Sequence, residues 1–366
     1  MKISFIYGPW CLGGRKIDLP NVWTSDRGLT GSELSCLCFS REMARRGHEV
    51  TLYLDQADPM IWEGVRVLPA SLIHTIDSSN DVVYSWNEPD LLREVPSSVL
   101  RMVNEQVNDF DYCRPGYDDF VDIYTSPSNS HRDFIRNMTG SPDKWHVIPN
   151  GCDPDQYSDG PRQEGSVIWA SSPDRGLHLL LQCWPKIKSA VPNATLKIFY
   201  NMDSWLQRFD GAVHSYPDFR EFSYRASYIS LALRRMTDMG IEKYGSISRK
   251  RMIEEMSKAQ VLAYCCDTIR FTEGFSVTTM EACAAGVVPI IVGVDSLCQI
   301  YGDHLPMVKS PATDHLIEFS ELVIKSLTDK DFQKIVTTKA KQLAYSHKWS
   351  ILAAGLEDLM RSKLKK

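Results

Sequence analysis

Residues 273–289 read Glu273-Gly274-Phe275-Ser276-Val277-Thr278-Thr279-Met280-Glu281-Ala282-Cys283-Ala284-Ala285-Gly286-Val287-Val288-Pro289. Two glutamates have seven residues between them, beginning with a Gly-Phe-Ser turn. Ser276 is a natural N-cap, so a helix starts here, runs through the small residues Ala282, Ala284 and Ala285, and stops at Gly286. Val287 to Val292 then supply an apolar strand. Amide N–H groups at the helix start and the helix dipole suit an anion, while carboxylates accept hydrogen bonds from hydroxyls. The plainer reading of the run is a βα unit of a buried sheet, with Glu273 favouring the helix dipole and Glu281 a solvated helix residue.

Outward from this run, the chain alternates short apolar segments with amphipathic ones. Strands are expected at Ile3–Tyr7, His48–Leu54, Val65–Leu68, Asp81–Ser85, Val99–Asn104, Val121–Ser126 and His146–Ile148. Helices are expected at Ser32–Arg46 and near His131–Met138. After Pro149-Asn150-Gly151-Cys152-Asp153-Pro154 and a polar stretch to Glu164, a second series begins. Its strands are Val167–Ala170, Thr195–Tyr200, Ile241–Gly245 and Val261–Cys265. Its helices are Leu177–Ile187, interrupted by Pro185, Phe222–Met239, Lys250–Ala259 and a closing region from Asp314. Such alternation gives an α/β fold of two Rossmann-like units with parallel sheets, whose ligands lie beyond the carboxyl ends of the strands.

At 366 residues the chain exceeds what one core holds. A net charge of −5 argues against a nucleic-acid partner held by general electrostatics. No apolar run reaches the ~18–20 residues of a transmembrane helix, and the N-terminal segment reads as a first strand rather than a signal peptide. The ten cysteines lack Cys-x-x-Cys or zinc spacing and include the adjacent Cys265-Cys266. Reduced thiols and a cytoplasmic location are therefore expected.

The opening run resembles the Glu-(seven residues)-Glu signature of retaining glycosyltransferase family 4, with matches at Glu273, Gly274, Phe275, Glu281, Ala282, Ala284, Gly286 and Pro289. Ser276 stands where the pattern has Gly. Ser171-Ser172-Pro173-Asp174-Arg175-Gly176-Leu177 resembles the loop in which the family places a phosphate-binding cation before a Gly, whereas taken alone Arg175 is equally a turn-capping cation. The companion Arg has no counterpart at Ser171 or Ser172, and Arg249 and Arg270 are the candidate substitutes. Thr30-Gly31-Ser32-Glu33 resembles the family's Gly-Gly-x-Glu loop, although Thr30 or Ser32 would serve equally as a plain helix cap. Gly13-Gly14 is a second loop, a turn or a lid. Val147-Ile148-Pro149-Asn150-Gly151-Cys152-Asp153 resembles the interdomain segment. Gly245-Ser246-Ile247-Ser248 matches the segment beside the nucleobase, or is a strand-to-helix turn capped by Ser248. The His that many members carry after an N-domain strand is missing from Arg101–Asn108, where Asn104 or Gln106 would take the sugar instead. Asp109-Phe110-Asp111 and Asp153-Pro154-Asp155 read as structural.

The resemblance implies a GT-B architecture, two Rossmann-like domains facing across a cleft: an acceptor domain at 1–155, a donor domain at 156–345, and a terminal helix at 346–366 crossing back to the first. It implies retaining transfer of a hexose from a nucleotide diphosphate sugar, with GDP-mannose favoured over UDP-hexoses, to a glycan or other hydroxyl acceptor. Arg175 and Glu273 would be catalytic. Gly274, Phe275, Ser276, Gly31, Ser32 and Gly14 would hold the donor sugar and phosphates, Glu281 the ribose, and Ser246 and Ile247 the base. No metal or cofactor is expected. Two other readings compete: a degenerate module that binds a nucleotide sugar without turnover, and a Rossmann oxidoreductase or epimerase, against which the absence of G-x-G-x-x-G counts. The oligomeric state is left open, a homodimer included.

Overall fold

The computed structural model describes residues 1–9, 16–107, 116–136, 141–207, 218–309 and 315–364. The chain divides into two compact units, one of residues 1–22, 29–151 and 347–366, the other of residues 23–28 and 152–346.

In the first unit the apolar segments form β1 (Lys2–Tyr7), β2 (Glu49–Leu54), β3 (Met60–Trp62), β4 (Val65–Pro69), β5 (Val82–Trp86), β6 (Leu100–Asn104), β7 (Ile123–Ser126) and β8 (Trp145–Val147). They make one sheet in the order β3-β4-β2-β1-β5-β6-β7-β8. Every pairing is parallel except β3 with β4, which form a hairpin. The alternation pattern did not single out β3. Its turn, Glu63-Gly64, has positive φ at both residues, the geometry of a tight two-residue hairpin.

Helix α1 (Gly31–Arg45) follows β1, and Thr30 and Glu33 form a reciprocal capping box at its start. Helix α2 (Asn129–Ile135) is capped by Ser128. Phe5, Tyr84, Trp86 and Phe39 fill the core beneath α1.

The second unit holds β9 (Ser166–Trp169), β10 (Thr195–Ile198), β11 (Ile241–Lys243), β12 (Val261–Tyr264), β13 (Val288–Gly293) and β14 (Met307–Lys309), all parallel, in the order β11-β10-β9-β12-β13-β14. Its helices are α3 (Leu177–Ala190), α4 (Met202–Gln207), α5 (Phe219–Arg235), α6 (Arg249–Lys258), α7 (Val277–Ala285), α8 (Leu297–Tyr301), α9 (His315–Thr328) and α10 (Lys330–Ser346). Pro185 does not interrupt α3, contrary to the sequence expectation. Proline costs a helix about 3 kcal/mol, and here Leu177, Leu180, Leu181, Trp184 and Ile187 are completely buried, which outweighs that cost.

The last helix, α11 (Trp349–Lys363), packs on α1 within the first unit. The Trp349 ring meets Phe39 edge-on at 5.3 Å, and Arg46 and Arg361 pair with Glu357 at 2.6 and 2.7 Å. A Cβ on Gly151 would come within 2.8 Å of the Trp349 indole, so space beside α11, rather than turn geometry, requires glycine there.

Every cysteine among the described residues is a free thiol. No helix among them is long and apolar enough to cross a membrane.

Candidate active site

In an open α/β sheet the loops on either side of the point where strand order reverses diverge and leave a crevice. In the second unit that point lies between β9 and β12. The loop after β9 carries Arg175 at the end of a 3-10 turn, Pro173–Arg175. The loop after β12 carries Glu273. Arg175 Nη1 lies 2.8 Å from Glu273 Oε2, with the carboxylate side chain 4% exposed and the guanidinium 32% exposed. The pair raises the Arg175 pKa further above its ordinary value. Tyr264, the last residue of β12, donates its hydroxyl to the same carboxylate oxygen.

The Glu273 backbone is held as firmly as its side chain. Asp295, in the left-handed region at φ 49°, accepts from the N–H groups of Thr272 and Glu273, both at 2.9 Å. Ser296 N–H donates to the Glu273 carbonyl at 3.2 Å. Neither Tyr264 nor Asp295 was singled out from the sequence. A tyrosine at a strand end and an aspartate after β13 are ordinary until the fold brings them to Glu273.

Ser276 caps α7 as expected, its hydroxyl oxygen accepting from Thr279 N–H at 3.3 Å and Thr279 Oγ1 at 2.9 Å. Gly286 closes the helix in the left-handed conformation. Phe275 turns inward against Tyr301, centroids 6.3 Å apart, which places this ring in the core. Glu281 is buried in α7 and paired with the Arg249 guanidinium, and burial pushes its carboxyl above the ordinary range. Arg249 also donates to the Tyr157 hydroxyl at 3.3 Å. The first candidate for the missing phosphate cation is thus engaged at Glu281, and the second, Arg270, lies 3.7 Å from Asp218. Ser246 is exposed and Ile247 buried in the turn between β11 and α6, where Ser248 is the cap, accepting from Arg251 N–H. Asp153 stands at the N-terminal end of its turn and accepts from the Gln156 side-chain amide at 3.0 Å.

Gly31, Ser32, Asn104 and Gln106 belong to the first unit. Its strand order reverses between β1 and β5, and there Ser32 Oγ accepts from Tyr7 at 3.3 Å and from Asn87 at 3.4 Å. Asn104 is completely buried and donates to Tyr84 at 2.9 Å. Gln106 bonds Asn104 at 2.8 Å, both amide atoms of Asn150 at 3.0 and 2.8 Å, and Asn87 through its N–H at 2.6 Å. These amides hold the carboxyl edge of β6 to the Pro149-Asn150-Gly151 segment. Between them Glu105 is 2% exposed, and burial pushes its carboxyl up to about 8. Gly14 and the Asp109/Asp111 pair lie outside the described residues. Among the described residues no three His, Cys, Asp or Glu side chains are grouped to hold a metal ion.

Residues 170–343 match the family model described as glycosyl transferases group 1. The structure is similar along its whole length to solved glycosyltransferases. A sucrose-phosphate synthase from Thermosynechococcus elongatus superposes with a TM-score of 0.69 at 13% identity, covering 99% of this chain and 98% of the other. Anabaena HepE in complex with UDP and glucose gives 0.67 at 13% identity, covering 99% and 100%. The trehalose-6-phosphate synthase OtsA gives 0.72 at 9% identity, covering 100% of both. No curated protein sequence matches the chain. The fold is GT-B, and the site lies within the matched region. Residues 170–343 thus carry the group 1 glycosyl transferase pattern, and the chain as a whole has the fold of solved glycosyltransferases.

Proposed function

We propose that the protein is a retaining hexosyltransferase of family 4 that takes its sugar from a nucleotide diphosphate donor and passes it to a hydroxyl of a glycan or related acceptor. The observation that carries this reading is the Arg175–Glu273 pair at the switch point of the second sheet. The barrier to transfer is departure of a dianionic diphosphate while an oxocarbenium-like sugar develops. Arg175 commits one of its five N–H donors to Glu273 and keeps the others for phosphate oxygens. With the N–H groups at the start of α7, it stabilises the leaving charge from fixed positions, and no metal is needed for that role. Glu273 holds sugar hydroxyls and orients the anomeric carbon, and Glu281 holds the ribose. Ser246 and the Ile247 backbone face the base. Gly31 and Ser32 belong to the donor site, and Gln106, held in place by the buried Asn104, shapes the sugar face of the first unit.

GDP-mannose is the first donor to test. UDP-glucose is the second, because HepE, similar in fold, has been captured with it. A cytoplasmic enzyme is the setting that fits its free cysteines. In a donor-hydrolysis assay Glu273→Ala is expected to lower kcat about 10²-fold or more, the scale of losing one positioned polar group in a transition state. Binding of the bare nucleotide should stay within about threefold. Unchanged turnover would remove Glu273 from the site. Proton NMR of the first product formed is expected to show the donor's anomeric configuration.

A further inference from the structure

The Arg175 loop is held by other segments as well as by its own turn. Residues 172–176 form one short 3-10 turn ending at Gly176, whose φ is +113°. The loop leans on the chain that follows β12. A Cβ at Gly176 would lie 1.9 Å from the Cys265 carbonyl oxygen, and Asp267 N–H donates to the Arg175 carbonyl at 3.1 Å. A third element reaches both segments. Arg225, on α5, is 5% exposed, and its Nη1 donates to the carbonyls of Asp174 at 2.6 Å and Asp267 at 2.5 Å. Its Nη2 meets Asp267 Oδ2 at 2.9 Å, and its Nε meets Glu221 one helical turn back at 2.9 Å.

We infer that Arg225 is a positioning residue for the donor diphosphate, a clamp that fixes the reach of Arg175 by tying its loop to the strand-end loop beside Glu273. The inference rests on the phosphate role proposed above for Arg175. A planar guanidinium serves two carbonyls and a carboxylate at once, which a lysine ammonium on one flexible stem does less well. His178 lies 3.6 Å from the same Asp267 carboxylate. Burial, with Arg225 adding to it, drives the His178 pKa down to about 4, so this imidazole stays neutral near pH 7 and leaves Arg225 as the cation opposite Asp267. Without Arg225 the carbonyls of Asp174 and Asp267 lose their shared donor, and the two loops separate to reach water.

The test is a double-mutant cycle read by titration calorimetry with UDP and GDP. Arg225→Met is expected to weaken binding of the preferred diphosphate about tenfold, near 1.4 kcal/mol. Arg175→Ala should weaken it at least as much. The double variant should bind no more weakly than Arg175→Ala alone, because one residue acts through the other. Arg225→Lys should fall between wild type and Arg225→Met. If melting shows that Arg225→Met does not fold, Arg225→Lys carries the same cycle. Full additivity of the two losses, or wild-type affinity in the Arg225 variant beside a weakened Arg175→Ala, overturns the clamp and leaves the function standing. Wild-type affinity in Arg175→Ala, or no binding of either diphosphate to the wild type, overturns the proposed phosphate role and the clamp with it.

Discussion

Glu273 is fixed from three directions: Arg175 and Tyr264 on its carboxylate, Asp295 on its amide and Ser296 on its carbonyl. The sequence showed the two residues with a recognisable local setting, Glu273 before a helix and Arg175 after a strand. It did not show Tyr264, Asp295 or Arg225, because the partner of each lies in a different segment and no local pattern marks such contacts. Asn104 and Gln106 illustrate the converse. Their amide chemistry suits a sugar, but the fold engages Asn104 wholly in a buried network. Glu105, between them, is the residue the pattern passed over. Its carboxyl is raised in the folded protein to about 8 from an ordinary value of 4.5. The folded state keeps this proton while the unfolded state loses it above about pH 4.5, so stability falls between about pH 4.5 and 8 and levels off above that. Urea unfolding at pH 5 and pH 8.5 is expected to show Glu105→Gln gaining stability over wild type at the higher pH, by at least about 1 kcal/mol. Equal differences at both pH values would place the Glu105 proton elsewhere.

At the scale of elements, local chemistry was legible wherever it decided the outcome. Thr30 with Glu33 and Ser276 with Thr279 start their helices, and Gly286 stops one. Where packing decides, the sequence misled or was silent. The buried face of α3 carries it through Pro185, and the β3–β4 hairpin rests on three residues a side, too few to display an alternation. Helix α11 reads as an ordinary amphipathic terminus, yet its Trp349 is among the largest fully buried side chains. Trp349→Ala is expected to destabilise the first unit by about 3–5 kcal/mol, the usual cost of emptying a buried aromatic site. Urea titration followed by far-UV circular dichroism measures it. A loss below about 1 kcal/mol would mean that α11 is a loose appendage.

Across the whole molecule, two parallel sheets each reverse strand order once, between β1 and β5 and between β9 and β12. The polar groups collect at those two reversals: Tyr7, Ser32, Asn87 and Gln106 in one unit, Arg175, Tyr264 and Glu273 in the other. Alternating strands and helices make this architecture readable in the sequence. The return of residues 347–366 to the first unit was readable through the family resemblance, since nothing in an amphipathic helix names its docking partner. In the proposed function the second unit binds a nucleotide diphosphate sugar through Arg175 and Glu273. Titration calorimetry of the full chain with GDP-mannose, UDP-glucose, UDP-GlcNAc, UDP-galactose and NAD tests it most directly. At least one nucleotide sugar is expected to bind with a dissociation constant of about 1 mM or tighter, with Arg175→Ala weakening that binding and NAD not binding. Binding of NAD with no response to any nucleotide sugar would contradict the proposed function.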